Sequence, residues 1–159
     1  MLPLAIVEVI GLPGCGKSTF LGQMSDEFIV LEPREKIRGV LEDDLGKKRE
    51  RIKKVISNKF SDKSLANKPS PVFLDGGLLQ NAIITSISQG TWVFLNRFLE
   101  NYQRIVFLIK CVEKERKKRF YDEWRDISSL EGKWINKYME AIEIVKKKCS
   151  IITYWNYFT

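Results

Sequence analysis

Apolar residues run almost without interruption from Leu4 to Ile10, the pattern of a short strand buried on both faces of a parallel sheet. Glycines at 11, 14 and 16 follow. From Lys17 the spacing turns helical, with Phe20, Leu21 and Met24 on one side, and the helix is expected to end near Ser25 and Asp26. Phe28 to Leu31 reads as a second strand, closed by Pro33. Glu35 to about Phe60 reads as a charged helical region with Ile37, Val40, Leu41 and Leu45 on its apolar face, broken or kinked at Gly46. Ser61 to Pro71 has the composition and length of a loop. Val72, Phe73 and Leu74 form a third strand running into Asp75-Gly76-Gly77, and a helical stretch divided at Gly90 extends to Tyr102. Ile105 to Ile109 is a fourth strand. Helices over Glu113 to Ile127 and Gly132 to Lys148 follow, the second with Trp134, Tyr138, Ile142 and Val145 along one face, and Ile151 to Tyr154 closes as a fifth strand.

Strands alternating with helices predict an α/β fold of about five parallel strands, with helices on both faces and right-handed crossovers. Ligands are then expected at the carboxyl ends of the strands. No repeat or low-complexity tract divides the chain, so residues 1–159 read as one domain.

Composition narrows the chemistry. With no histidine, the Ser-His-Asp triad, the Cys-His nucleophile, His-liganded zinc and a histidine pH switch are all excluded. Three distant cysteines, Cys15, Cys111 and Cys149, without a C-x-x-C pair, point to reduced thiols in a cytosol-like compartment. No apolar run approaches the roughly 20 residues of a membrane helix, so a soluble, cytoplasmic protein is expected. Lys and Arg number 27 against 20 Asp and Glu, a net charge of +7 that suits an anionic ligand.

Gly11-Leu12-Pro13-Gly14-Cys15-Gly16-Lys17-Ser18 matches G-x-x-x-x-G-K-[ST] in full, between a buried strand and a helix as its mechanism requires. The glycines let Gly11, Gly14, Cys15 and Gly16 curl their amides around phosphate, helped by the helix N-terminus and Thr19. Lys17 is placed to reach the β- and γ-phosphates, and the Ser18 hydroxyl to ligate Mg²⁺. Cys15 reads as a small residue tolerated in the loop, with redox sensitivity as the other reading. Asp75, ending an apolar strand, suits a metal or substrate role opposite Ser18; capping the next helix is the alternative. Glu32, held extended by Pro33, points to the same crevice or to solvent. Arg34 and Arg38, four apart, would grip an acceptor phosphate or pair with Glu35 and Glu42. Arg116, Arg119 and Arg125 fall in a dense basic segment that would close over a transferring phosphoryl group as a lid, or simply form a solvated helix face. Basic runs at Lys47 to Lys54 and Lys146 to Lys148 could track a nucleic-acid backbone, though most such faces are only solvated. Trp134, Tyr138, Trp155 and Tyr157 read as core rather than as stacking platforms for bases.

These residues resemble the P-loop kinase family that includes thymidylate kinases, deoxynucleoside kinases and adenylate-kinase-like enzymes, over nearly the whole chain. The resemblance rests on GLPGCGKST and on Glu32-Pro33 followed by Glu35-Lys36-Ile37-Arg38, similar to the E-P and G-E-x-I-R elements of thymidylate kinases. It implies the three-layer sandwich of P-loop NTPases, with residues 113–130 as the lid-like segment. It also implies ATP and Mg²⁺ as cofactors and phosphoryl transfer to a nucleoside or nucleoside monophosphate. By resemblance Glu32 contacts the sugar or takes the hydroxyl proton. Where the family carries an arginine after its carboxylate, this chain has Gly76-Gly77, so Arg34, Arg38 or Arg97 would have to substitute. Two other readings follow from that departure and from the charge: a P-loop ATPase or GTPase switch acting with a protein partner, and a nucleic-acid-binding ATPase or polynucleotide kinase. The absence of N-K-x-D favours ATP over GTP, and a homodimer is compatible with these features.

Overall fold

The computed structural model describes residues 6–12, 14–32, 45–60, 71–100, 102, 104–123 and 131–156. Strands β1 (Ile6–Gly11), β2 (Val30–Leu31), β3 (Val72–Asp75), β4 (Ile105–Lys110) and β5 (Ile151–Trp155) lie in one parallel sheet ordered β2-β3-β1-β4-β5. Helices α1 (Lys17–Met24), α2 (Leu45–Phe60), α3 (Leu78–Gln89), α4 (Val93–Leu99), α5 (Glu113–Glu123) and α6 (Glu131–Lys148) connect them.

The two periodicities explain the layers. On one face of the sheet Val7, Val9, Phe73 and Ile109 receive Phe20 and Leu21 of α1. Phe73 meets Phe20, Phe28 and Phe107 edge to face at 5.6–6.0 Å, each contact worth about 0.5–1.5 kcal/mol beyond burial. On the other face Ile10, Leu74, Val106 and Leu108 pack against α3, α4 and α6, with Ile52 of α2. Adjacent strands β1 and β3 therefore lead into helices on opposite faces. The crevice this opens at their carboxyl ends is where an α/β sheet binds its ligand.

The elements follow the hydrophobic pattern closely, with a few departures. β2 begins at Val30 rather than Phe28, whose ring turns down onto Phe73. Of the helical region expected from Glu35, residues 45–60 form α2, with Gly46 inside its first turn, while 33–44 lie outside the described residues. Gly90 does divide the stretch before Tyr102, adopting the left-handed conformation that ends α3. β5, expected to be covered on both faces, is an edge strand with Ile152, Tyr154 and Trp155 exposed, so Trp155 is not core; Tyr157 lies outside the described residues. An apolar run carries no information about whether its strand ends up at an edge.

One residue of β1 breaks the apolar pattern. Glu8 is 1% exposed, and its carboxylate accepts the Leu79 amide at 3.2 Å and the Tyr102 hydroxyl, with the Arg104 guanidinium at 3.8 Å. Burial pushes its carboxyl above the usual range, against the opposing pull of Tyr102, Arg104 and the amides of Leu79 and Leu78. The native state thus keeps a proton that the unfolded chain has already released, a contribution to stability that is full below the ordinary glutamate range and lost as pH rises through the raised value. Glu8→Gln should flatten the fall of Tm with pH in that interval; a slope untouched by the substitution would mean that the carboxylate titrates normally. Gly77 sits against the same carboxylate, and a Cβ there would overlap Glu8 Oε1. Because the carboxylate is held by its donors, Gly77→Ala is expected to cost about 1–3 kcal/mol, read from the urea midpoint. An unshifted midpoint would show that Glu8 can give way.

Candidate functional site

Gly14 and Gly16 adopt φ of 84° and 88°, the left-handed region that a side chain resists. Gly11 is glycine for a different reason: a Cβ there would stand 2.7 Å from Cys15 Sγ and 2.8 Å from the Ile109 carbonyl. The loop so formed delivers the chain into α1 through Gly16, with no side chain capping the helix. The first bond of that helix is Phe20 N–H to Gly16 carbonyl at 3.0 Å, which leaves the amides of Lys17, Ser18 and Thr19 without intrahelical acceptors. Amides so placed at a helix start are suited to an anion.

The loop is tied down from three other elements. The Gly11 N–H donates to the Tyr138 hydroxyl of α6 at 3.3 Å. Asn156, just past β5, donates its Nδ2 to the Gly16 carbonyl at 3.2 Å and its own amide to the Lys110 carbonyl at 2.7 Å. The Cys111 thiol approaches the Gly14 carbonyl at 3.9 Å. The Cys15 amide, expected among the phosphate donors, turns to the Leu12 carbonyl at 3.2 Å. Its side chain is buried with the α1 core, and burial pushes the thiol up to about 11, so it stays protonated and unreactive at neutral pH.

Across the crevice Asp75 ends β3. The Lys17 ammonium lies 3.3 Å from Asp75 Oδ1, with the two side chains 22% and 7% exposed. That oxygen is buried and accepts no hydrogen bond, so the ion pair is its sole polar contact among the described residues. The alternative role for Asp75, capping the next helix, belongs to Glu8, which takes the Leu79 amide. Ser18 and Thr19 are exposed in the first turn of α1. Among the described residues no three of His, Cys, Asp and Glu converge on one point. A carboxylate oxygen without a hydrogen-bond donor and a hydroxyl fit a hard cation that keeps several waters and takes its other ligands from phosphate, which is how Mg²⁺ binds.

Glu32 is exposed just past β2. Arg34, Arg38 and Arg125 lie outside the described residues, as does the side chain of Arg119 on α5. Arg116, also on α5, is buried at 2% exposure with its guanidinium forked onto Glu113 at 2.8 and 3.1 Å, which holds the Glu113 carboxyl below its usual range. To reach a phosphate, Arg116 would have to release Glu113. Arg97 is exposed in the last turn of α4. Lys48, part of the first basic run, is buried instead, its ammonium donating to Asn81 Oδ1 on α3 at 2.6 Å. Lys146, Lys147 and Lys148 occupy the last turn of α6, where cations offset the helix dipole. No described helix is long and apolar enough to cross a membrane.

No family model matches the chain, and no curated protein matches it in sequence. Solved structures do match. The deoxyadenosine kinase of M. mycoides with bound dATP superposes with a TM-score of 0.50 at 15% identity, over 93% of this chain and 90% of that one. A second structure from the same organism, with bound dCTP, gives a TM-score of 0.50 at 19% identity over 93% and 89%. This chain has the fold of the P-loop deoxynucleoside kinases. Within that fold the departure at Gly76-Gly77 has a local cause: Gly76 adopts φ of 68°, and Gly77 leaves no room beside Glu8. A bulky arginine is disfavoured at either position. Sequence reasoning missed Glu8, Asn156 and the polar role of Tyr138. Glu8 had a signal, a lone charge inside an apolar strand; Asn156 had none.

Proposed function

We propose that the chain catalyses ATP-dependent, Mg²⁺-assisted phosphoryl transfer to a nucleoside or nucleoside monophosphate. The observation that carries this reading is the meeting of Lys17 and Asp75 across the β1–β3 crevice, directly beside an uncapped helix start. The loop amides and Lys17 bind and orient the nucleotide phosphates, and Lys17 exchanges Asp75 for phosphate oxygens as it does so. Ser18 and Asp75 would hold Mg²⁺, which when bound neutralises charge on the β- and γ-phosphate oxygens. Positioning and charge stabilisation, rather than a covalent intermediate, then account for the rate. Glu32 serves a hydroxyl acceptor as proton acceptor, and Arg34 and Arg38 serve a monophosphate. Arg119 and Arg125 complete the closure over the transferring group. The M. mycoides kinases were solved with dATP and dCTP, which makes deoxynucleosides the first acceptors to test.

The test is ADP release from Mg-ATP by purified protein, with each common nucleoside, deoxynucleoside and monophosphate added separately. Stimulation by one acceptor is the expected result and names the substrate. Hydrolysis indifferent to every acceptor would instead support a P-loop NTPase, the reading that Gly76-Gly77 favours.

A further inference from the structure

Tyr138 is fully buried, with its ring 5.2 Å from that of Trp134, yet its hydroxyl does more than fill core. The Gly11 N–H can only donate, so the hydroxyl accepts from it at 3.3 Å and has its own proton free. That proton goes to Gln80 Oε1 at 2.5 Å, which also fixes which end of the Gln80 amide faces inward. Gly11 opens the phosphate loop. Gln80 stands in the first turn of α3, the helix that starts immediately after Asp75-Gly76-Gly77. One oxygen therefore joins the end of β1 to the start of α3, at a loop residue where a Cβ would meet Cys15 and the Ile109 carbonyl.

We propose that Tyr138 is a positioning residue for nucleotide binding, its hydroxyl setting the start of the phosphate loop relative to the helix that follows Asp75. The inference rests on the reading of the loop as a nucleoside triphosphate site. Without the hydroxyl, the buried Gly11 N–H is left unpaired and the half-buried Gln80 Oε1 loses its donor, so the start of the loop must shift to find a partner or water. Small displacements of a phosphate cradle are expensive for binding because its amides act together.

Tyr138→Phe removes the oxygen and keeps the ring. Binding of Mg-ATP by titration calorimetry, with thermal melts alongside, should show about a fivefold to tenfold higher Kd. Gln80→Leu removes the other end of the bridge and should weaken ATP by a similar factor. The double variant should bind no worse than the weaker single one, since the bridge is broken once. A merely structural tyrosine would lower Tm and leave Kd unchanged; that outcome, or fully additive effects, overturns the proposal. If Tyr138→Phe fails to fold, Gln80→Leu alone decides, and an unchanged Kd overturns it. Wild-type protein that binds no nucleoside triphosphate would overturn the triphosphate-site reading, and this inference with it, a failure visible without any variant.

Discussion

Lys17→Ala yields a folded protein whose phosphoryl transfer falls on the order of 10²–10³-fold or more. Two features of the structure make this the largest expected effect. Lys17 stands 3.3 Å from Asp75 across the crevice between β1 and β3, and it emerges from the helix start whose amides would surround the same phosphates. The fold does not depend on it: α1 is held by Phe20 and Leu21 in the core, and the loop by Tyr138 and Asn156. Removing the ammonium leaves the buried Asp75 carboxylate without its partner, a cost of about 1–3 kcal/mol that lowers Tm without unfolding the chain. Circular dichroism and a melt establish the first half, and a coupled ADP assay the second. Undiminished turnover in a folded variant would remove the loop from the mechanism.

Asp75→Asn comes next. The substitution keeps shape and removes charge, so it separates electrostatics from packing. Asp75 Oδ1 is buried and accepts no hydrogen bond among the described residues, and the helix-capping role that would explain the carboxylate structurally is filled by Glu8. If the carboxylate helps to hold Mg²⁺, the variant needs about 10–100-fold more Mg²⁺ for half-maximal activity, and its maximal rate falls about 10²-fold. Stability should change little, because a charge that needed Lys17 has become a neutral amide. A Mg²⁺ titration that matches wild type would assign Asp75 to holding Lys17 rather than metal.

How much of this was legible in the sequence depends on range. The glycine loop was readable because its conformation is local: glycines whose conformations a side chain resists, a lysine and a serine in fixed order, a strand before and a helix after. The sheet was readable because strands buried on both faces are apolar throughout, and the Glu8 interruption did not disturb the pattern. Contacts that join distant segments were not readable. Tyr138 lies 127 residues from Gly11 and Asn156 lies 140 from Gly16, and nothing in their own neighbourhoods distinguishes a core tyrosine or a strand-end asparagine from ones that hold a loop. The basic run at 47–54 illustrates the opposite error: a run of charge reads as solvated or as a track for nucleic acid, yet Lys48 turns inward to Asn81 while Lys47, Arg49, Arg51, Lys53 and Lys54 stay exposed. Edge position was equally hidden. Trp155 has the strand spacing of a core residue, and only the order β1-β4-β5 leaves it at the rim, with the Lys110 ammonium 5.7 Å from its ring.

The most direct test follows the phosphate itself. ATP labelled at the γ-phosphate is incubated with the protein, Mg²⁺ and each deoxynucleoside, and the labelled products are separated, with Lys17→Ala as control. A labelled deoxynucleoside monophosphate formed by wild type and absent with Lys17→Ala is the expected result. Label appearing only as inorganic phosphate, or formed equally by Lys17→Ala, would contradict a kinase built on this loop.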